Sequence, residues 1–114
     1  MNDKTVGIVG LGIMGGAIAK NLAERGWTVI GFDVDPAKGA ALVRDNIRIV
    51  QNVAEVAQAA EIILTSLPSP AAAEAVARDI ATSGAAQRIV VELSTLALAD
   101  KLRFKTILDA AGHI

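Results

Sequence analysis

The chain has 114 residues, enough for one compact domain with a sizeable core; it is 53% hydrophobic but only 3% aromatic, carries a formal charge of −1 and contains no cysteine. Interspersed, nearly balanced charges leave no basic footprint for nucleic acid and no acidic tail, and the lack of cysteine excludes disulfides and thiolate metal sites. A core so poor in aromatics must be built from Ala, Val, Ile and Leu, which suits helices packed on a parallel sheet.

The first predicted element is a strand, "TVGIVG" (5–10). It enters an uncharged stretch, Val6 to Ala19, in which Ala17-Ile18-Ala19 has the small-x-small pattern of a signal cleavage site. Gly7, Gly10, Gly12, Gly15 and Gly16 argue against a signal or membrane helix, since each glycine costs a helix interior about 1 kcal/mol relative to alanine. Lys20 also ends the apolar run short of the roughly 20 residues a span requires. No membrane contact and a cytoplasmic location are expected.

Further along, "MGGAIAKNLAERG" (14–26), "PAKGAALVRD" (36–45), "VAEVAQAA" (53–60), "PAAAEAVARDIATSG" (70–84) and "LADKLRFKTILDAAG" (98–112) space apolar residues as helices do. Between them, "WTVIGFD" (27–33), "IRIV" (47–50), "EIILTSL" (61–67) and "RIVVEL" (88–93) read as strands buried on both faces. Strict alternation predicts an α/β fold: a Rossmann-type, doubly wound parallel sheet with right-handed crossovers and helices on both faces. Residues 1–114 then form one dinucleotide-binding domain. His113, the single histidine, has no sequence partner for metal or catalysis and is expected at a solvated chain end.

Gly10-x-Gly12-x-x-Gly15 follows a predicted strand and opens a predicted helix, the setting that gives this spacing its meaning. Gly10 would permit a tight turn, Gly12 the approach of a pyrophosphate, and Gly15 the packing of helix on strand. The phosphates would face the free N–H groups of the helix N-terminus, and no Gly-Lys-Ser/Thr follows to make a P-loop. Asp33, eighteen residues after Gly15 at the end of the second strand, is placed to bond adenosine ribose hydroxyls. Asp35 precedes Pro36 and reads both as a helix cap and as a further carboxylate near the ribose.

Three stretches carry a family resemblance. "GLGIMGGAIAKNL" (10–22) resembles the Gly-Leu-Gly-x-Met-Gly signature of the β-hydroxyacid dehydrogenases, which include 3-hydroxyisobutyrate and 6-phosphogluconate dehydrogenases, with Ile18 where Met is usual. "SLPSP" (66–70) resembles the family's Leu-Pro loop, and "ELSTLALAD" (92–100) its Ser-Thr-x-x-Pro segment, with Leu98 in place of Pro. The resemblance implies NAD as cofactor, held by Gly10, Leu11, Gly12, Ile13, Met14, Gly15, Asp33, Val34, Asp35, Leu67, Pro68 and Thr95, with Leu67-Pro68 beside the nicotinamide ribose. It implies a small hydroxyacid substrate approached by Ser94, and NAD over NADP, because NADP-preferring relatives carry a basic residue where Val34 stands. Structural uses remain open beside these: Met14 as a gap-filler under the turn, Pro68 as a strand end, Ser94 and Thr95 as helix caps.

In this family a sixth strand and a helical domain supplying a catalytic lysine follow the segment that resembles "DAAGHI", and neither is expected within residues 1–114. Lys4, Lys20, Lys38, Lys101 and Lys105 do not match that lysine's motif. The expected activity is therefore that of the cofactor-binding half of an oxidoreductase, cut or naturally separate, with no catalytic residue and no metal ligand of its own. A free-standing sensor of the NAD/NADH ratio is the alternative, a methyltransferase fits Met14 and the Leu-Pro and Ser-Thr segments less well, and homo-oligomerisation is left open.

Overall fold

The computed structural model describes residues 4–44 and 46–114. Five short strands, β1 (Thr5–Val9), β2 (Thr28–Phe32), β3 (Ile47–Ile49), β4 (Ile62–Thr65) and β5 (Ile89–Glu92), alternate with α1 (Ile13–Glu24), α2 (Pro36–Ala40), α3 (Val53–Ala59), α4 (Pro70–Ala81) and α5 (Leu98–Ala110). The strands are rich in β-branched residues, whose restricted side chains fit a pleated surface. Three helix starts are written locally. The side chains of Asp35, Asn52 and Ser69 accept from the backbone N–H groups of Ala37, Glu55 and Ala72, and Pro36 and Pro70 occupy the first helical position.

All pairings are parallel and the strand order is β3-β2-β1-β4-β5. The chain winds outward from β1 through β2 to β3, crosses back, and winds the other way through β4 and β5. One side of the sheet packs Val9, Ile30 and Ile63 against Val56 and Ala57 of α3, Ala73, Ala77 and Ile80 of α4, and Phe104 and Leu108 of α5. On the other side Val6, Ile8 and Val29 meet Ala19 and Ala23 of α1 together with Leu42. Rossmann-type architecture with helices on both faces is thus present. Among the described residues, no helix is long and apolar enough to cross a membrane.

Three expectations are corrected. The second helix stops at Ala40 because the chain turns there, with the Leu42 N–H donating to the Gly39 carbonyl at 2.9 Å and Leu42 buried in the core; the end of its predicted range, Asp45, lies outside the described residues. β5 is not buried on both faces. Ile89 and Val91 are in register with Ile62 and Leu64, which pack at the margin of the α1-side core; one strand further out, both are exposed.

His113, finally, is not a solvated chain end: it is 5% exposed, and its Nδ1 accepts the Arg88 N–H at 2.9 Å. The Arg88 side chain continues inward, donating from Nε to the Ala57 carbonyl at 2.7 Å near the end of α3. Beside them the Ile114 N–H donates to the Arg88 carbonyl and the Val90 N–H to the Ile114 carbonyl, both at 2.9 Å, the exchange typical of a parallel rung. His113 is therefore a buried acceptor joining the start of β5 to the turn after α5. His113→Phe, which fills the space without the acceptor, is expected to cost about 1–3 kcal/mol, read as a lower urea midpoint with an unchanged slope.

Candidate functional site

In an open α/β sheet, ligands bind beyond the carboxyl ends of the strands where the winding direction reverses. Here that point lies between β1 and β4. A cleft of about 500 Å³ opens there, lined by Val9 and Gly10 after β1, Phe32 and Asp33 after β2, and Ser66, Leu67 and Pro68 after β4. This volume lies within the range of small-molecule sites.

The glycine turn shapes one rim. Gly10 has φ +97°, where a side chain is strained, and a Cβ there would also strike the Ser66 carbonyl. A Cβ on Gly15 would strike the Gly10 carbonyl, so α1 sits directly on the turn. Gly12 differs from both. Its φ is −69° and a Cβ would meet nothing within 4 Å, so the protein has no steric need for glycine at this position. Gly12 is also the N-cap of α1, which has neither a capping side chain nor an acidic residue in its first turn. Such a helix end favours negative charge.

Asp33 closes the rim. Its Oδ2 accepts the Leu11 N–H at 2.7 Å and its Oδ1 the Asp35 N–H at 2.8 Å, tying the glycine turn to the end of β2. Each carboxylate oxygen keeps acceptor capacity beyond one N–H. Asp35 both caps α2 and lines the cleft.

Of the other sequence-predicted residues, Val34, Leu67 and Pro68 also line the cleft. Leu11 turns its side chain into the core while its N–H faces Asp33. Ile13 and Met14 stand exposed at the start of α1, and Met14 does not fill a gap under the turn. Thr95 is exposed outside the cleft wall. Ser94 is 4% exposed, and its Oγ accepts the Leu67 N–H at 2.6 Å. Neither Ser94 nor Thr95 caps α5, whose N-cap is Ala97.

Sequence reasoning passed over Lys38, which it placed further along the second helix; it lines the cleft beside Asp35. It also passed over the α4 wall formed by Ala72, Ala75, Val76 and Asp79. Their i, i+3, i+4, i+7 spacing directly after the Leu-Pro loop was a usable signal.

Residues 5–113 match the sequence family described as the NAD binding domain of 6-phosphogluconate dehydrogenase. The chain belongs to this family. It is 32% identical over 110 residues to 2-(hydroxymethyl)glutarate dehydrogenase of Eubacterium barkeri, covering 94% of this chain and 36% of that protein. It is 41% identical over 70 residues to the mitochondrial 3-hydroxyisobutyrate dehydrogenase of Mus musculus, covering 60% and 21%. Among solved structures, 3-hydroxyisobutyrate dehydrogenase of Mycobacterium tuberculosis with L-serine superposes with a TM-score of 0.91 at 22% identity, over 97% of this chain and 38% of that one. An imine reductase from Pseudomonas sp. gives 0.89 at 23%, over 99% and 40%. These last two likenesses speak for the fold. The chain thus spans roughly a third of the first relative's length, and it is an NAD-binding domain of Rossmann type.

Because nothing surrounds a Cβ at Gly12, Gly12→Val is expected to abolish NADH binding by calorimetry while costing only the roughly 1 kcal/mol of a poorer N-cap, a drop of about 4–8 °C in the thermal midpoint for a domain near this size. Gly10→Ala is expected to lower the midpoint as well. Undiminished binding by Gly12→Val would make the turn structural only.

Proposed function

We propose that this chain is the cofactor-holding half of an oxidoreductase that moves a hydride between a small 3-hydroxy acid and NAD. The observation that carries the proposal is the conjunction, on one cleft rim, of the bare N-terminus of α1 at Gly12 and the Asp33 carboxylate. NAD, when bound, supplies the nicotinamide ring that accepts the hydride. The first-turn amides of α1, including those of Ile13, Met14 and Gly15, hold the pyrophosphate, and Asp33 takes the ribose hydroxyls. Val34 and the apolar side of α4 flank the adenine. Leu67, Pro68 and Thr95 face the nicotinamide side, and Ser94 shapes the substrate end through the loop it braces. The kinship to named hydroxyacid dehydrogenases favours this reading over a free-standing sensor.

None of the lysines is taken as the proton-exchanging group, so residues 1–114 alone are expected to bind NADH without catalysing. Purified chain with NAD and 3-hydroxyisobutyrate, glycerate or threonate should give no NADH absorbance above background. Sustained turnover would overturn this division of labour.

Cofactor choice follows from charge. The 2′-phosphate of NADP would approach Asp33, with Asp35 nearby, and one close like-charge contact at an effective ε of about 20 is worth a few kcal/mol. Lys38 on the cleft wall offsets part of this, leaving an expected NAD preference of roughly ten- to a hundredfold at 1.4 kcal/mol per decade. Asp33→Asn should narrow the gap and weaken NAD, since a carboxamide offers one acceptor to the two backbone N–H groups now bound. Val34→Arg, at an 88% exposed position, should raise NADPH affinity about tenfold without loss of stability. Fluorescence titration of NADH and NADPH against all three proteins checks this; equal affinities in the parent would remove Asp33 from the ribose site.

A further inference from the structure

Glu92 ends β5 and takes no part in the cofactor reading above, yet its carboxylate sits at a junction of four elements. Oε1 accepts the Ser94 N–H at 2.8 Å and the hydroxyl of Thr65, its register partner on β4, at 3.3 Å. Oε2 is shielded from solvent and is the one buried side-chain oxygen or nitrogen among the described residues without a hydrogen bond. Lys101 Nζ of α5 lies 3.2 Å from it, an ion pair outside hydrogen-bond alignment. From Ser94 the chain of contacts continues, because its Oγ receives the Leu67 N–H that starts the cleft's far wall.

Burying a carboxylate at the end of an edge strand is costly unless its partners need both oxygens charged. Both sides of this one face donors: the Ser94 N–H and Thr65 hydroxyl on one oxygen, the Lys101 ammonium on the other. A carboxamide would aim its NH₂ group at donors on one of those sides. Glutamate places an acceptor toward the donors on one side and a charge toward Lys101 on the other, which glutamine cannot do.

We propose that Glu92 is a positioning residue: through Ser94 it sets the Leu67-Pro68 wall and the Ser94-Thr95 loop as one unit, and so holds the nicotinamide end of the cofactor while leaving the adenosine end untouched. This rests on the cofactor reading above. The adenosine end depends on the glycine turn and Asp33, which no Glu92 contact reaches. The two ends are separable by ligand.

The experiment is calorimetric titration of the 1–114 chain and of Glu92→Gln with NADH and, separately, with ADP, which carries the adenosine and the two phosphates but neither the second ribose nor the nicotinamide ring. NADH affinity is expected to fall about tenfold, the equivalent of about 1.4 kcal/mol, with ADP affinity held within about twofold at 10 °C. Glu92→Asp, which restores the charge, should recover part of the NADH loss, a recovery that a volume effect would not give. Loss of both ligands in equal measure, or of neither, overturns the assignment while the cofactor reading stands. A parent chain that binds neither ligand overturns the cofactor reading itself. If Glu92→Gln does not fold, Lys101→Met, altering a half-exposed side chain, carries the same test: a selective NADH loss supports the assignment and an unchanged ratio of the two affinities overturns it.

Discussion

The approach of the Gly10 backbone to the end of β4 is the contact on which the binding face depends. Val9 and Ser66 join β1 to β4, with the Ser66 N–H donating to the Val9 carbonyl at 2.9 Å. One residue later the chain must turn away into α1 with no room for a side chain against the Ser66 carbonyl. Gly15 then seats the helix on the carbonyl of that same turn. Two hydrogen atoms in place of methyl groups thereby fix where the positive end of α1 stands relative to the strand ends. Because the site is built on rigid elements, its geometry is set before any ligand arrives.

Asp33 lines the cleft and carries structure at the same time. By accepting the amides of Leu11 and Asp35 it fastens the turn across 22 residues of sequence and holds its own carboxylate at the rim in one orientation. Fixing a long-range loop in advance lowers the ordering cost that binding would otherwise meet. A substitution at Asp33 would therefore disturb the turn along with anything its two oxygens meet in the cleft.

Strand and helix positions were legible because β-branched runs alternate with amphipathic ones, and because Asp35-Pro36, Asn52 and Ser69-Pro70 announce their helices locally. The glycine spacing and Asp33 were legible for the same reason: each position in a turn or strand end is set by near neighbours. What escaped depends on distant packing. His113 is buried because Arg88, 25 residues away, offers it an N–H. Lys38 lines the cleft from the first turn of α2. The exposure of Ile89 and Val91 follows from which faces the crossovers choose, and a continuous apolar run reads alike whether one face or two are covered. Ser94, recognisable as part of a motif, had a bonding partner that no local pattern names.

That half-bare sheet has a consequence of a different kind. Ile62, Leu64, Ile89 and Val91 form a flat apolar square beside α1, in register across two parallel strands, with Ile114 at its outer margin. With a net charge of only −1, long-range repulsion between molecules is weak, and contiguous apolar surface of this kind favours self-association. This apolar surface lies apart from the nucleotide cleft, so a single substitution to lysine at Ile89 or Val91 would alter the one while leaving the glycine turn as it is.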